Sequence, residues 1–116
     1  MTIKYVFGDV ALTFTAAAAG AYSSGPLENA GQARMAEAWV NITAVAGTTN
    51  TIDLKFQTSA DGTTWSDVAG GTLPQLTAVG NARCSALVTG NFVQVVATLG
   101  GTGSPTATGA VGVVLI

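Results

Sequence analysis

Histidine is absent from this sequence of 116 residues, and cysteine occurs once. The absence of histidine removes the commonest general base, the commonest zinc ligand and every Ser-His or Cys-His dyad. The single cysteine, Cys84, excludes an intramolecular disulfide. The segment ARCSALV around Cys84 has the period of a strand, so we interpret this thiol as buried and structural rather than reactive.

Charged residues are also scarce, at 9% of the chain, whereas soluble domains average about 25%. The four basic residues, Lys4, Arg34, Lys55 and Arg83, are scattered. Binding to nucleic acid or to an anionic membrane surface needs clustered cations, so neither partner is expected. A surface with so little charge indicates that other protein covers part of it. The alternative is a domain kept soluble by hydroxyl and amide groups alone.

The few carboxylates do not form a catalytic pattern. Asp61 and Asp67 flank one predicted turn, which is convex and exposed, whereas a glycosidase holds two carboxylates about 5 to 10 Å apart across a cleft. Calcium takes roughly six to eight oxygen ligands, more than this turn offers. No nucleophile elbow, Walker A loop or GxGxxG segment occurs. We therefore expect no catalytic residues, no metal site and no cofactor, and we do not expect an enzyme.

Membrane and secretory segments are not expected either. The start of the chain, MTIKYVFGDVALTFTAAAAGA, loosely imitates a signal peptide, but Asp9, Thr13 and Thr15 interrupt its apolar part. Residues 84–116 contain no charged side chain. Polar residues nevertheless interrupt this stretch well short of the roughly 18 to 20 consecutive apolar residues that a membrane span needs.

The dominant hydrophobic period is two, with turn residues between the runs, and this predicts an all-β chain. Seven or eight strands forming an antiparallel β-sandwich, Ig-like or jelly-roll-like, are expected. The predicted strands cover residues 2–7, 10–16, 34–46, 51–59, a short run from Trp65, 76–79 with 82–88, 92–99 and 106–116. The Val-rich runs 92–99 and 111–116 are typical of central strands or of strands covered on both faces, and Gly109 and Gly112 indicate a bulge or a close backbone approach.

The first 33 residues are the least regular part of the pattern. Strands are expected there before residue 16, but the glycines, serines and proline of residues 16–32 favour a loop or an extended arm. We predict one domain, with residues 34–116 as the sandwich core. Residues 1–33 are expected to pack on that core or on a neighbouring subunit.

The segment SADGTTW (59–65) predicts a β-hairpin, because Asp61-Gly62 is a strong turn signal and Trp65 follows it closely. The pattern of Ser59, Asp61, Gly62 and Trp65 resembles the Asp-box turn of sialidase-like propellers and a hairpin of discoidin-type carbohydrate-binding sandwiches. We interpret these four residues as a structural hairpin and not as a sugar site.

Trp39 is the aromatic residue with the most direct bearing on function. It alternates with Met35, Glu37, Asn41 and Thr43 on the mixed face of the strand from Arg34, opposite a face of Ala, Val and Ile. Two interpretations remain open: Trp39 belongs to the core, or it is an exposed anchor for a protein or a sugar.

The layout from NITAVAGTTNTIDLKFQTSADGTTWSDV through NFVQVVATLGG to the terminal VGVVLI resembles small β-sandwich virion proteins of tailed bacteriophages. The resemblance covers about residues 34–116. It implies a capsid decoration (cement) or head accessory protein, made in the host cytoplasm and located on the capsid surface of the virion. Such a protein stabilises the head by binding the major capsid protein and copies of itself, a trimer being one arrangement.

On this interpretation the contact residues come from the N-terminal segment and from the mixed face of the long strand. They are Lys4, Tyr5, Phe7, Tyr22, Pro26, Leu27 and Trp39. The alternative function is a tail or baseplate sandwich, or a carbohydrate-binding module. A glycan is the less favoured partner.

Overall fold

The computed structural model of the chain describes residues 10–28, 35–88 and 90–115. Every regular element in these ranges is a β-strand, and none of the described residues forms a helix. The strands are β1 (Val10–Ala18), β2 (Gly20–Ser23), β3 (Leu27–Glu28), β4 (Met35–Ala46), β5 (Thr49–Ser59), β6 (Ser66–Thr72), β7 (Gly80–Leu87), β8 (Phe92–Thr102) and β9 (Thr106–Leu115). The prediction of an all-β antiparallel sandwich is confirmed.

Two antiparallel sheets form the sandwich. Sheet A has the strand order β1-β9-β4-β7, and sheet B has the order β2-β8-β5-β6 with β3 also paired to β8. The predicted central position of the Val-rich segments is confirmed, because β9 lies between β1 and β4 and β8 lies between β2 and β5. An interior strand is covered by neighbours along both edges, which suits β-branched side chains packed on a pleated surface.

The core lies between the sheets and follows the period of two. On β4, Ala36, Ala38, Val40 and Ile42 point inward and are fully buried. On sheet B the inward side chains of β5 and β8 complete the layer: Ile52, Leu54, Phe56, Val93, Val95 and Ala97. Burial of each large apolar side chain contributes about 1.5–3 kcal/mol to folding. The strict alternation therefore fixes which face of each strand is available to a partner.

The N-terminal part of the described chain belongs to this sandwich. β1 pairs with β9, whereas β2 and β3 both pair with β8. The Tyr22 ring packs edge-on against Phe14 at 5.6 Å between ring centroids, and its hydroxyl donates to Ala18 O at 2.7 Å. Phe14 and Leu27 are core residues, so the sandwich is not confined to residues 34–116.

The prediction of a loop or arm over residues 16–32 is therefore wrong for residues 16–18, 20–23 and 27–28. Local glycine and serine content disfavours strands, but β9 and β8 supply the missing pairing partners. The predicted strand 76–79 is also wrong: Leu76 makes an isolated bridge to Ile52, and residues 77–79 form a bend. Tertiary contacts overrode the local pattern at both places.

The sheets approach each other at one side through β6 and β7. Cys84, on the inward side of β7, donates from its Sγ to Gly70 O of β6 at 3.3 Å. Burial raises the pKa of the Cys84 thiol, which keeps it protonated. Cys84 is half-buried, not fully buried as expected, and its thiol helps to join the sheet margins.

Candidate interaction surface

The segment 59–65 connects β5 to β6, and its polar groups bond to one another. Ser59 Oγ accepts from Gly62 N at 2.8 Å and donates to Asp61 Oδ1 at 2.9 Å. Asp61 Oδ1 also accepts from the backbone N–H groups of Thr63 and Thr64, both at 2.9 Å. These backbone donors, Thr64 first, hold the pKa of Asp61 far below its usual value. The side chains of Ser59 and Asp61 therefore serve the turn.

Gly62 and Trp65 complete this connection. Gly62 has a φ of +83°, and a Cβ at this position would lie 3.7 Å from the Phe92 ring, so the turn packs on the start of β8. Trp65 is half-buried.

An open cleft of about 420 Å³ lies beside the turn, with Thr58, Ser59, Asp61 and Gly90 among its lining residues. Asp61 is the one carboxylate of this lining. The described residues contain no group of three side chains suited to hold a metal ion.

Asp67 lies elsewhere, in a hydrogen-bonded row across the outer face of sheet B. Ser23 Oγ donates to Gln94 Oε1 at 2.7 Å, and Gln94 Nε2 donates to Gln57 Oε1 at 2.8 Å. Gln57 Nε2 donates to Asp67 Oδ1 at 2.8 Å, and Lys55 Nζ donates to Asp67 Oδ2 at 3.1 Å. We call these five residues the polar row. It crosses β2, β8, β5 and β6 and satisfies its own donors and acceptors.

The partners of Asp67 also affect its ionisation. The Gln57 amide and then the Lys55 ammonium lower the pKa of Asp67 below its usual value. Asp61 and Asp67 thus have separate partners on different parts of the chain, the turn backbone for one and the polar row for the other. The arrangement offers no shared carboxylate site to a substrate.

The outer face of sheet A has a different composition. Its charged side chains among the described residues are Glu37 and Arg83, whose Oε1 and Nη2 atoms approach to 4.0 Å. The other outward positions of β4, β7 and β9 carry small, amide or apolar groups: Met35, Trp39, Asn41, Asn81, Ser85, Leu87, Ala110, Gly112 and Val114. Depletion of charge together with Trp, Met and Arg is typical of protein interfaces.

Trp39 lies at the middle of this face. It opposes Arg83 of β7 on one side and Gly112 of β9 on the other. The indole lies directly over Gly112, and a Cβ at that position would collide with it. The expected close approach at Gly112 is thereby explained. Because Trp39 alternates with the inward residues of β4, it points away from the core and stays half-buried, and the core interpretation is wrong.

Met35 and Leu87 extend the apolar part of this face to one end of the sheet. They oppose each other on β4 and β7, and 37% and 69% of their surface is exposed, respectively. Neither was identified as a contact residue from the sequence. The signal was present, since Met35 shares the parity of Trp39, but the pairing of β4 with β7 was needed to bring Leu87 beside it.

The other sequence-predicted contact residues fall into three groups. Lys4, Tyr5 and Phe7 lie outside the described residues. Tyr22 is half-buried against Phe14, and Leu27 is only 8% exposed, so both pack on the sandwich core, which is one of the two placements expected for residues 1–33. Pro26 is exposed between β2 and β3. Trp39 is therefore the predicted contact residue that lies on a broad open face.

Comparison with known proteins identified no family: no protein-family model and no curated protein matches this chain. In the part of the chain that the structure covers, no helix is long and apolar enough to cross a membrane.

Proposed function

We propose that this chain is a structural protein of a bacteriophage virion, a capsid decoration protein that binds the major capsid protein and stabilises the head. The outer face of sheet A is the proposed contact surface. On this proposal the protein has no catalytic role, is made in the host cytoplasm and lies on the capsid surface of the virion. It builds on the resemblance of residues 34–116 to small virion sandwiches.

The observation that carries the proposal is the position of Trp39 over Gly112, on a face whose described residues form one ion pair. The glycine leaves room for the indole directly over β9, and Trp39 is only half-buried there, so part of its surface is available to a partner. A tryptophan held in one orientation loses little conformational entropy on binding. Such residues dominate interface energetics, and their truncation costs about 2 kcal/mol or more.

Met35 and Leu87 support the same assignment. Both expose aliphatic surface that a partner would remove from water, at roughly 25 cal/mol per Å². The opposite face of the sandwich lacks this character because its polar row is already satisfied. A decoration protein binds in many copies, so a moderate affinity per copy is sufficient to stabilise a shell.

The test is co-sedimentation with undecorated capsids assembled from the major capsid protein encoded in the same genome. We expect saturable binding at a stoichiometry set by the lattice, and a loss of at least about tenfold in affinity for Trp39→Ala. The matched control is Lys55→Ala on the outer face of sheet B, which should bind like the unmodified protein. Absence of co-sedimentation by a folded protein would refute the decoration role. Equal weakening by both substitutions would refute the assignment to sheet A.

A carbohydrate-binding role is the second candidate, because Trp39 is flanked by Glu37, Asn41 and Arg83. An aromatic platform with polar neighbours is also how a sugar ring is recognised. A glycan array with the unmodified protein and Trp39→Ala distinguishes the two. Trp39-dependent glycan binding without capsid binding would replace the first proposal with the second.

A further inference from the structure

The two sheets have four edges, and three of them carry features that obstruct pairing with another strand. On one edge of sheet A, β1 contains two register shifts and Ala16 has a φ of 46°. On one edge of sheet B, β2 and β3 have only four and two residues, and Pro26 lies between them. On the other edge of sheet B, β6 pairs irregularly with β5 and contains Gly70 at a φ of 72°. Irregular, short and proline-interrupted strands resist edge-to-edge association.

The fourth edge, β7, has none of these features. Its pairing with β4 runs without a shift from Met35↔Leu87 to Ile42↔Gly80. It contains no proline, and Arg83 is its only charged residue. The far side of β7 makes no backbone hydrogen bond to any described strand. Alternate N–H and C=O groups of β7 are therefore presented for pairing.

We propose that β7 pairs antiparallel with β7 of a second copy of this chain, about a two-fold axis perpendicular to sheet A. The pairing joins the two four-stranded sheets A into one continuous sheet. An antiparallel strand pair of this kind is self-complementary, since each copy offers the edge that the other requires. A closed two-fold also leaves neither copy with an open β7 edge, which ends the association at a dimer.

The register of the pair follows from parity, charge and overlap. Outward side chains of one copy must lie opposite outward side chains of the other. The two-fold axis therefore passes beside a single residue position and pairs odd-numbered residues with odd and even-numbered residues with even. An axis at Arg83 would place two guanidinium groups directly opposite each other, which is destabilising. An axis at Cys84 pairs residues 81–87 of one copy with residues 87–81 of the other, so nearly the whole of β7 takes part. Axes at Ala82, Ser85 or Ala86 oppose fewer residues.

With the axis at Cys84, charge complementarity favours the pair. Arg83 of one copy opposes Ser85 of the other, and Ser85 lies beside Glu37 on β4, to which its Oγ donates at 3.5 Å. Arg83 and Glu37 of the two copies are then two strand spacings apart, about 10 Å between Cα atoms, which their side chains can span. The axis repeats this contact, so two guanidinium and two carboxylate groups alternate across the joint.

The inference goes beyond the decoration role and does not depend on it. In the pair, both Trp39 side chains lie on the same face of the joined sheet, about three strand spacings or 15 Å apart laterally. A dimer would thus present the proposed contact surface twice and bind a shell at high effective concentration. This predicts a two-fold unit in place of the trimer implied by the resemblance to virion proteins.

The test is sedimentation equilibrium of the purified full chain and of two charge reversals, Arg83→Glu and Glu37→Arg. We expect the unmodified protein to be a dimer, and each variant alone to dissociate at least about tenfold more readily, because like charges meet across the joint. An equimolar mixture of the two variants should dimerise as well as the unmodified protein, since the mixed pair joins opposite charges at both contacts. An intramolecular ion pair cannot produce this recovery on mixing.

The control is Lys55→Glu, a charge reversal on the outer face of sheet B, which should leave the dimer unchanged. Ser85→Lys provides a second disruption that keeps both members of the ion pair and should also weaken the dimer. Circular dichroism of each variant establishes that it is folded. A monomeric or trimeric unmodified protein would overturn the proposal, as would folded variants that associate normally or fail to recover on mixing. Capsid binding by a monomer would leave the decoration role standing while refuting the pair.

Discussion

The outer faces of sheets A and B share the same alternation of residues but differ in how their polar groups are used. On sheet B, Gln57, Gln94 and Asp67 bond to one another, so these polar groups already have partners within the chain. On sheet A, Trp39 lies over Gly112 and aliphatic side chains remain exposed. A face that satisfies itself gains little from a partner, whereas an exposed aromatic and aliphatic face gains by burial. This difference is the reason for placing the proposed contact surface on sheet A.

The largest expected effect comes from filling the space under the indole, which would remove the feature that distinguishes the outer face of sheet A. Gly112→Val places a branched side chain where the Trp39 ring lies, and overpacking of this kind costs about 1–3 kcal/mol. We expect lower stability in urea unfolding and displacement of the indole, visible as a shift in its fluorescence. On the proposed function, capsid affinity should fall with it, because the ring no longer occupies its position over β9.

Two comparisons identify the cause of that loss. Gly80→Ala is the matched control, since a Cβ there would meet only Leu76 Cδ2 at 3.9 Å, and it should be nearly neutral. In the Trp39→Ala background, Gly112→Val should cost much less than in the unmodified protein. An equal cost in both backgrounds would show that the indole is not the obstacle.

Interrupting the polar row should have a smaller effect, confined to stability. Gln57→Leu removes the acceptor for Gln94 Nε2 and the donor to Asp67 Oδ1, while Gln94 remains largely buried. An unsatisfied amide of this kind costs about 1–2 kcal/mol. Urea unfolding of Gln57→Leu against Thr98→Val, an exposed position on the same face, measures the cost. Unchanged capsid affinity in Gln57→Leu is also expected; a marked loss would contradict the assignment of binding to sheet A.

Acidification should reveal the smallest effect, at Asp67. Its pKa in the folded protein is lowered from the usual 3.8, so its ionised form stabilises the fold above that value. This contribution is lost as the pH falls below 3.8 and through the lower folded pKa. The difference in Tm between the unmodified protein and Asp67→Asn should therefore be present at neutral pH and shrink in acid. A difference that grew on acidification would have the wrong sign for this mechanism.

The long regular strands were predictable because their alternation is complete. Ile52, Leu54 and Phe56 on β5 point inward as expected, and so do the alternate residues of β4 from Ala36 to Ile42. The same expectation for Ala44 is wrong, because a register shift after Ile42 leaves Ala44 exposed. The alternation along β4 also determines that Trp39 lies on the side opposite the inward residues, although the sequence alone did not exclude a core position for Trp39. The contact between Trp39 and Gly112 joins strands far apart in sequence, and only the pairing of β4 with β9 reveals it.

The weak elements were not predictable for a related reason. β2 and β3 are short and rich in residues that disfavour strands, and they exist because β8 provides a partner along its whole length. Conversely, residues 76–79 have strand-like composition but meet sheet B only through Leu76. Local composition specifies a strand well when one face is buried over many residues, and poorly at the margins of a sheet.

The turn at Asp61-Gly62 has a consequence for chemical ageing. In a flexible Asp-Gly step, the glycine nitrogen attacks the aspartyl carboxyl carbon, water is lost and a succinimide forms that opens largely to isoaspartate. Here the Gly62 N–H is bonded to Ser59 Oγ, and Asp61 Oδ1 is held by two backbone amides and the Ser59 hydroxyl. The lowered pKa also keeps this carboxyl group ionised, whereas the protonated form is the better electrophile. The hairpin therefore protects the Asp-Gly step, the peptide sequence most prone to this rearrangement, through the same hydrogen bonds that shape the turn.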